Sequence, residues 1–208
     1  MMFLHRVSVG RRVGLLVVIA WSATAAAGFF AIEAYEFTPG VMGRASSDWP
    51  EGATLGFVSD RPNVVMAVHP RCPCTQVSLD QLAELVRRFP DRASLRLLVF
   101  RPEGSVEGWG GSAIPGSADG LAGVIRVDDP GGREAGRFGL TTSGAVAAYD
   151  ELGNLRFFGG LTAGRGHGGP SEGAEALAAV LTGSDPTRGK SAVFGCVINR
   201  PSRGGERR

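Results

Sequence analysis

Hydrophobic and polar positions alternate in blocks whose periods differ along the chain. Val13–Ile32 is 20 consecutive residues without a charge, with Arg11 and Arg12 before it and Glu33 after it. A run of that length matches a hydrocarbon core of about 30 Å. The arginines in front predict that this end stays cytoplasmic and that the body is delivered across the membrane. A cleaved signal peptide is the competing reading, because Ala23-Thr24-Ala25 and Ala25-Ala26-Ala27 resemble small-residue cleavage sites; a buried soluble helix is the third. Asn63–Val68 is a β-branched apolar run between Pro62 and Pro70, the pattern of a buried strand. Ser78–Phe89 carries Leu79, Leu82, Leu85, Val86 and Phe89 at helical spacing. Ser78 and Gln81 read as a capping box, with an earlier start left open.

Ser94–Phe100 predicts a second strand, Arg101–Gly120 a loose loop, and Leu121–Val127 a third strand. Pro130–Phe138 predicts a short helix. Ala145–Tyr149 and Leu155–Phe158 flank a turn in which Gly153 supplies a positive φ. Ser171–Leu181 predicts a closing helix with Ser171 as its N-cap. The expected organisation is an anchor or signal over 1–32, a linker over 33–53, a domain over 54–182 and a polar tail over 183–208. The tail is interrupted by the apolar stretch Ala192–Ile198, which predicts that it docks somewhere. Strand–helix–strand units favour parallel neighbours, and the terminal hairpin makes the sheet mixed, so the class is α/β.

Composition narrows the function. Of 208 residues, 43% are hydrophobic and 20% charged, which is ordinary globular composition, and three cysteines exclude a disulfide scaffold. Net charge is +2, but residues 45–187 hold 12 Arg against 17 Asp and Glu. The basic residues cluster at the ends, Arg6, Arg11 and Arg12 in front and Arg188, Lys190, Arg200, Arg203, Arg207 and Arg208 behind. A net-acidic body without a basic stripe excludes a nucleic-acid partner.

The most informative stretch is His69-Pro70-Arg71-Cys72-Pro73-Cys74-Thr75, between a predicted strand and a predicted helix. Unpaired N–H groups at a helix N-terminus favour an anion, so a thiolate there has a lowered pKa. Pro73 suits the first helical position, and Arg71 adds a positive charge. Such a thiolate attacks disulfides and peroxides or binds a metal ion. A purely structural pair is the plain alternative. His69 is a ligand, a base, or simply the last strand residue. His167 sits in the loop Ala163–Gly169, which lacks the Lys-Ser/Thr of a phosphate loop; most such loops are only flexible. Cys196 is a third redox partner, a metal ligand, an intermolecular link or a small buried hydrophobe.

This placement resembles the thioredoxin family over about residues 54–182. More narrowly, HPRCPCTQVSL, YDELGNLRFFGGLTAGRGHGG and VFGC resemble a bacterial group of thioredoxin-like proteins labelled RedB. The resemblance implies a mixed central sheet flanked by helices, and a thiol–disulfide oxidoreductase acting on a protein thiol or disulfide partner. It implies Cys72 as nucleophile and Cys74 as resolving thiol, or the reverse, with Arg71 stabilising the thiolate and no bound cofactor required. Two departures stand out. The pair is C-x-C rather than C-x-x-C, and Ser143-Gly144 occupies the place of the family's cis-Pro. Cys72 and Cys74 can still bridge, since i,i+2 Cα atoms lie about 5.5–6.8 Å apart, but not with both helical. The small ring is expected to be strained and readily reduced. The alternative is a copper(I) module in which Cys72 and Cys74 join His69, His167 or Cys196. The expected location is the outer face of a bacterial inner membrane, single-pass, or export if the segment is cleaved.

Overall fold

The computed structural model describes residues 2–105 and 123–198, with side chains from residue 11 onward. The start of the predicted third strand, most of the predicted loop before it, and the arginines at 200, 203, 207 and 208 lie outside the described residues. The chain divides into two units, Met1–Phe37 and Thr38–Arg208. The first is a single helix, α1 (Met2–Glu36). Within its Arg11–Glu36 portion an 18-residue window has mean hydropathy 2.1, so the helix is long and apolar enough to cross a membrane by length and composition; a signal sequence has the same character. Leu15, Trp21, Phe29 and Phe30 are exposed along it.

The second unit is built in chain order from β1 (Asn63–Val68), α2 (Pro73–Arg88), β2 (Ser94–Arg101), β3 (Val124–Pro130), α3 (Arg133–Arg137), β4 (Ala145–Tyr149), β5 (Leu155–Gly160) and α4 (Glu172–Leu181). The five strands form one sheet in the order β3-β2-β1-β4-β5. β1 pairs parallel with β2, Asn63 opposite Ser94, and β2 pairs parallel with β3. β4 runs antiparallel to both β1 and β5. This mixed sheet with helices on its faces is the thioredoxin-like arrangement.

Every residue of β1 is buried, as its unbroken apolar run requires of a central strand. Alternate side chains feed two cores. Val64, Met66 and Val68 pack with Leu79, Leu82 and Leu85 of α2 and Leu177 and Leu181 of α4. Val65 and Ala67 face Phe138, Leu140, Tyr149 and Val193 on the other side. The expected capping box at Ser78 is not the helix start. α2 begins five residues earlier, at Pro73, and Ser78 is a buried interior position. Proline at the first position and extended backbone at Cys72 (φ −94°, ψ 113°) end the strand–helix turn there.

β3 runs on beyond Val127, because its ladder continues to Pro130 opposite Arg101. α3 is shorter than the predicted Pro130–Phe138, since Gly131 and Gly132 make the turn before it. The Asp129 carboxylate accepts from the N–H groups of Glu134 and Ala135, both at 2.9 Å, and so caps that turn. At the hairpin, Gly153 has φ +86°, as its turn demands. Ser171 caps α4 by accepting from the Ala174 N–H at 3.1 Å.

The segments on either side of the predicted domain are bonded to it. Gly40 donates to the Val193 carbonyl (2.7 Å), Gly43 to Gly139 (3.0 Å) and Trp49 to Gly153 (2.8 Å). The N–H groups of Thr54 and Leu55 reach the Glu134 carboxylate at 2.7 and 3.3 Å. Farther along, Lys190 bridges Phe158, and Val193 and Phe194 are buried.

Candidate thiol site

β1 ends at Val68, and the chain turns through His69-Pro70-Arg71 so that the Cys72 N–H donates to the His69 carbonyl at 3.0 Å. Cys72 is thereby the N-cap of a 16-residue helix, where orphan N–H groups and the helix dipole favour negative charge. Its side chain is only 4% exposed. Cys74 lies two positions on, within the first turn of α2, and is half-buried. No disulfide joins the three cysteines.

The third cysteine comes from 124 residues away. The Cys196 N–H donates to the Cys72 sulfur at 3.3 Å. The apolar tail stretch is what brings it there. Thr142 and Val197 form an antiparallel bridge. Ser143 donates to the Cys196 carbonyl at 2.9 Å, and Ile198 donates to Thr141 at 2.8 Å. Gly195 permits the approach: a Cβ on it would stand 2.0 Å from the Ser143 carbonyl oxygen.

Two further groups complete the cluster. The Ser143 hydroxyl accepts from the His69 N–H at 2.7 Å and is hydrogen-bonded to the Thr75 hydroxyl. Arg165 donates to the Gly195 carbonyl at 2.8 Å and to Thr38 at 3.3 Å. The thiols differ in acidity. Burial pushes Cys72 up, but hydrogen bonds from the Thr75 and Cys196 side chains and the Cys196 N–H outweigh it, so the thiol lies below its ordinary value. Burial and the neighbouring Cys72 push Cys74 up, against the Arg165 guanidinium, which lowers it. Burial and Cys72 push Cys196 up to about 11. One thiol with a lowered pKa therefore stands beside two whose pKa is raised.

The cluster unites Cys72, Cys74 and Cys196 and leaves the two expected imidazoles apart from it. The His69 ring stacks on Phe100 at 5.2 Å, and its Nδ1 accepts from the Arg71 N–H at 3.2 Å. Burial, then the Arg71 charge, lowers its pKa. The exposed His167 bonds through Nδ1 to its own loop at the Arg165 carbonyl, 3.0 Å. Among the described residues, no group of three or more His, Cys, Asp or Glu is set to hold a metal ion. Arg165, from the loop in which only His167 stood out by sequence, is a cation that acts on the Cys74 and Cys196 thiols. Thr75 and Arg165 carried no signal, since hydroxyls and arginines are common in such positions. Ser143 was visible only through its alignment with the missing proline.

The fold is a mixed five-stranded α/β sheet flanked by helices, and the cluster sets a thiol at a helix N-terminus. No family model and no curated protein matches the chain. Among solved structures it is similar to an uncharacterized conserved protein from Geobacillus kaustophilus, 18% identical, TM-score 0.54, covering 81% of this chain and 95% of that one. It is similar as well to a hypothetical protein from Sinorhizobium meliloti 1021, 17% identical, TM-score 0.53, covering 81% and 99%. These likenesses show the fold alone. A secreted Mycobacterium tuberculosis disulfide oxidoreductase homologous to E. coli DsbE matches at 13% identity and TM-score 0.45, over 61% of this chain and 84% of that one.

Proposed function

We propose that the chain is an extracytoplasmic thiol–disulfide oxidoreductase, held at or exported across a bacterial inner membrane by its N-terminal apolar helix, with its thiol domain in the periplasm. The observation that carries this reading is Cys72 at the N-cap of α2, its sulfur accepting the N–H of a second cysteine. A thiolate in that position is the attacking species of disulfide exchange. Cys72 attacks one sulfur of a protein disulfide, forming a mixed disulfide and releasing one thiolate, which takes up a proton. A second thiol of the cluster then attacks the Cys72 sulfur and releases the other. The substrate disulfide ends as two thiols, and two protein thiols end as one disulfide. The resemblance of residues 69–79, 149–169 and 193–196 to the RedB-labelled group is in keeping with this role.

The test is reduction of insulin by the full chain in detergent micelles, with dithiothreitol as electron donor. Cys72→Ser is expected to abolish turnover, and unchanged turnover in that variant refutes the reading. The copper(I) alternative draws on the same Cys72 and Cys74 thiols. It is separated by titrating the reduced chain with Cu(I): stoichiometric binding lost in Cys72→Ser, together with no insulin reduction, supports it over the redox reading.

A further inference from the structure

We infer that Cys196, not Cys74, is the redox partner of Cys72, and that residues 192–198 are a tethered arm that carries this resolving thiol into the site. The inference rests on the oxidoreductase reading above and names the pair that closes its cycle.

The two candidate partners differ in how they reach Cys72. Cys74 shares the first turn of α2 with Pro73, so bonding it to Cys72 means closing a small ring across a residue whose φ is fixed. The Cys74 thiol is itself within hydrogen-bonding reach of Cys72, so this ring is what separates the two candidates. Cys196 meets no such obstacle. It belongs to a separate segment that lies against the sulfur, its own N–H directed at it from 3.3 Å. That segment is anchored on both sides of the cysteine. Before it, Arg165 holds the Gly195 carbonyl, and Phe194 and Val193 are buried. After it, Val197 and Ile198 pair with Thr142 and Thr141. The close fit of Gly195 against Ser143 makes this placement specific to a residue without a Cβ.

The Cys72 thiolate raises Cys74 and Cys196 alike, so the acidities give the order of events and the choice of partner rests on the geometry. The Cys72 sulfur is one of the causes that raise Cys196. When Cys72 enters a mixed disulfide its negative charge is gone, and that cause is removed, so Cys196 ionises more readily at the moment it is needed. It loses its proton to solvent and attacks the Cys72 sulfur. The bond between Cys72 and the substrate breaks, and the departing substrate thiolate is protonated. The product is a Cys72–Cys196 disulfide, which clips the arm covalently to the domain.

The test oxidises the reduced full chain in micelles with glutathione disulfide, blocks remaining thiols with N-ethylmaleimide, and maps the tryptic peptides. Cleavage after Arg71 and Arg87 leaves Cys72 and Cys74 in one peptide, and cleavage after Lys190 puts Cys196 in another. The expected result is a cross-link between these two peptides that persists in Cys74→Ser. In Cys196→Ser, glutathione is expected to stay on Cys72 about tenfold longer or more than in the parent. An internal disulfide in the first peptide, with Cys196 alkylated, overturns this inference and leaves the oxidoreductase reading standing. Three alkylated thiols and no oxidation of Cys72 overturn both.

Discussion

Replacing Gly195 with alanine tests the architecture of the site at its tightest point. The added Cβ would lie 2.0 Å from the Ser143 carbonyl oxygen, and an ordinary contact begins at 3.4 Å. The two backbones must therefore part by about 1.4 Å, and neither is a flexible side-chain end that can swing aside. Parting them breaks or weakens three hydrogen bonds: Ser143 N–H to Cys196, Ile198 N–H to Thr141, and Cys196 N–H to the Cys72 sulfur. At about 0.5–1.5 kcal/mol net each, partly recovered through water, the expected loss is about 1–3 kcal/mol. For a chain of this size that corresponds to a fall of roughly 2–12 °C in Tm. The same shift uncovers Cys72. The assays are urea denaturation of the full chain in micelles, followed by intrinsic fluorescence, and the rate of Cys72 alkylation by iodoacetamide. Stability should fall while Cys72 becomes more accessible. A variant as stable as the parent with Cys72 equally protected would refute the argument that Gly195 seats the tail.

Thr75→Ala removes a hydrogen bond that lowers Cys72; the pH profile of Cys72 alkylation should move to higher pH, with a several-fold slower rate at pH 7. Arg165→Gln removes the charge that lowers Cys74 and Cys196 and the bond to Gly195, so both thiols should alkylate more slowly near pH 9, as read by peptide mass mapping. Leu177→Ala, at a fully buried position of α4, should cost about 2–5 kcal/mol in urea denaturation without changing which cysteines pair. Burial raises the Asp150 carboxyl, but the N–H and amide of Asn154, the Leu152 N–H and Arg156 outweigh it and hold it below its ordinary 3.8. Its stabilisation is full above that value and is lost as pH falls through the lower folded value. Asp150→Asn should therefore lower Tm at pH 7, with the gap to the parent closing in acid.

Much of this architecture can be read from residue patterns. The central strand, the two long helices, the hairpin and the Ser171 cap follow from local chemistry, because each element declares its own buried face or its own turn residue. The Cys72 environment is legible for the same reason, since a strand end, a proline and a helix lie together in sequence. What escapes is non-local. Ser78 and Gln81 have the right spacing for a cap, yet Pro73 begins the helix sooner and draws the cap to Cys72. The apolar tail announces that it docks, but its place is set by the close fit of Gly195 against Ser143, 52 positions apart in sequence. Arg165 and Thr75 carry no local sign, since their partners are thiols brought in by other segments.

The completion of the Cys72 pocket by residues 195–198 orders events during synthesis. Domains form as units once their elements are available, and the five strands and four helices among the described residues are all present by Leu181. A chain that has emerged only that far holds a whole sheet with its most acidic thiol bare. In that interval the Cys72 sulfur lacks the Cys196 N–H that meets it at 3.3 Å, and the contact forms when Gly195 and Cys196 arrive. The maturing polypeptide thus passes through a stage that the finished fold conceals.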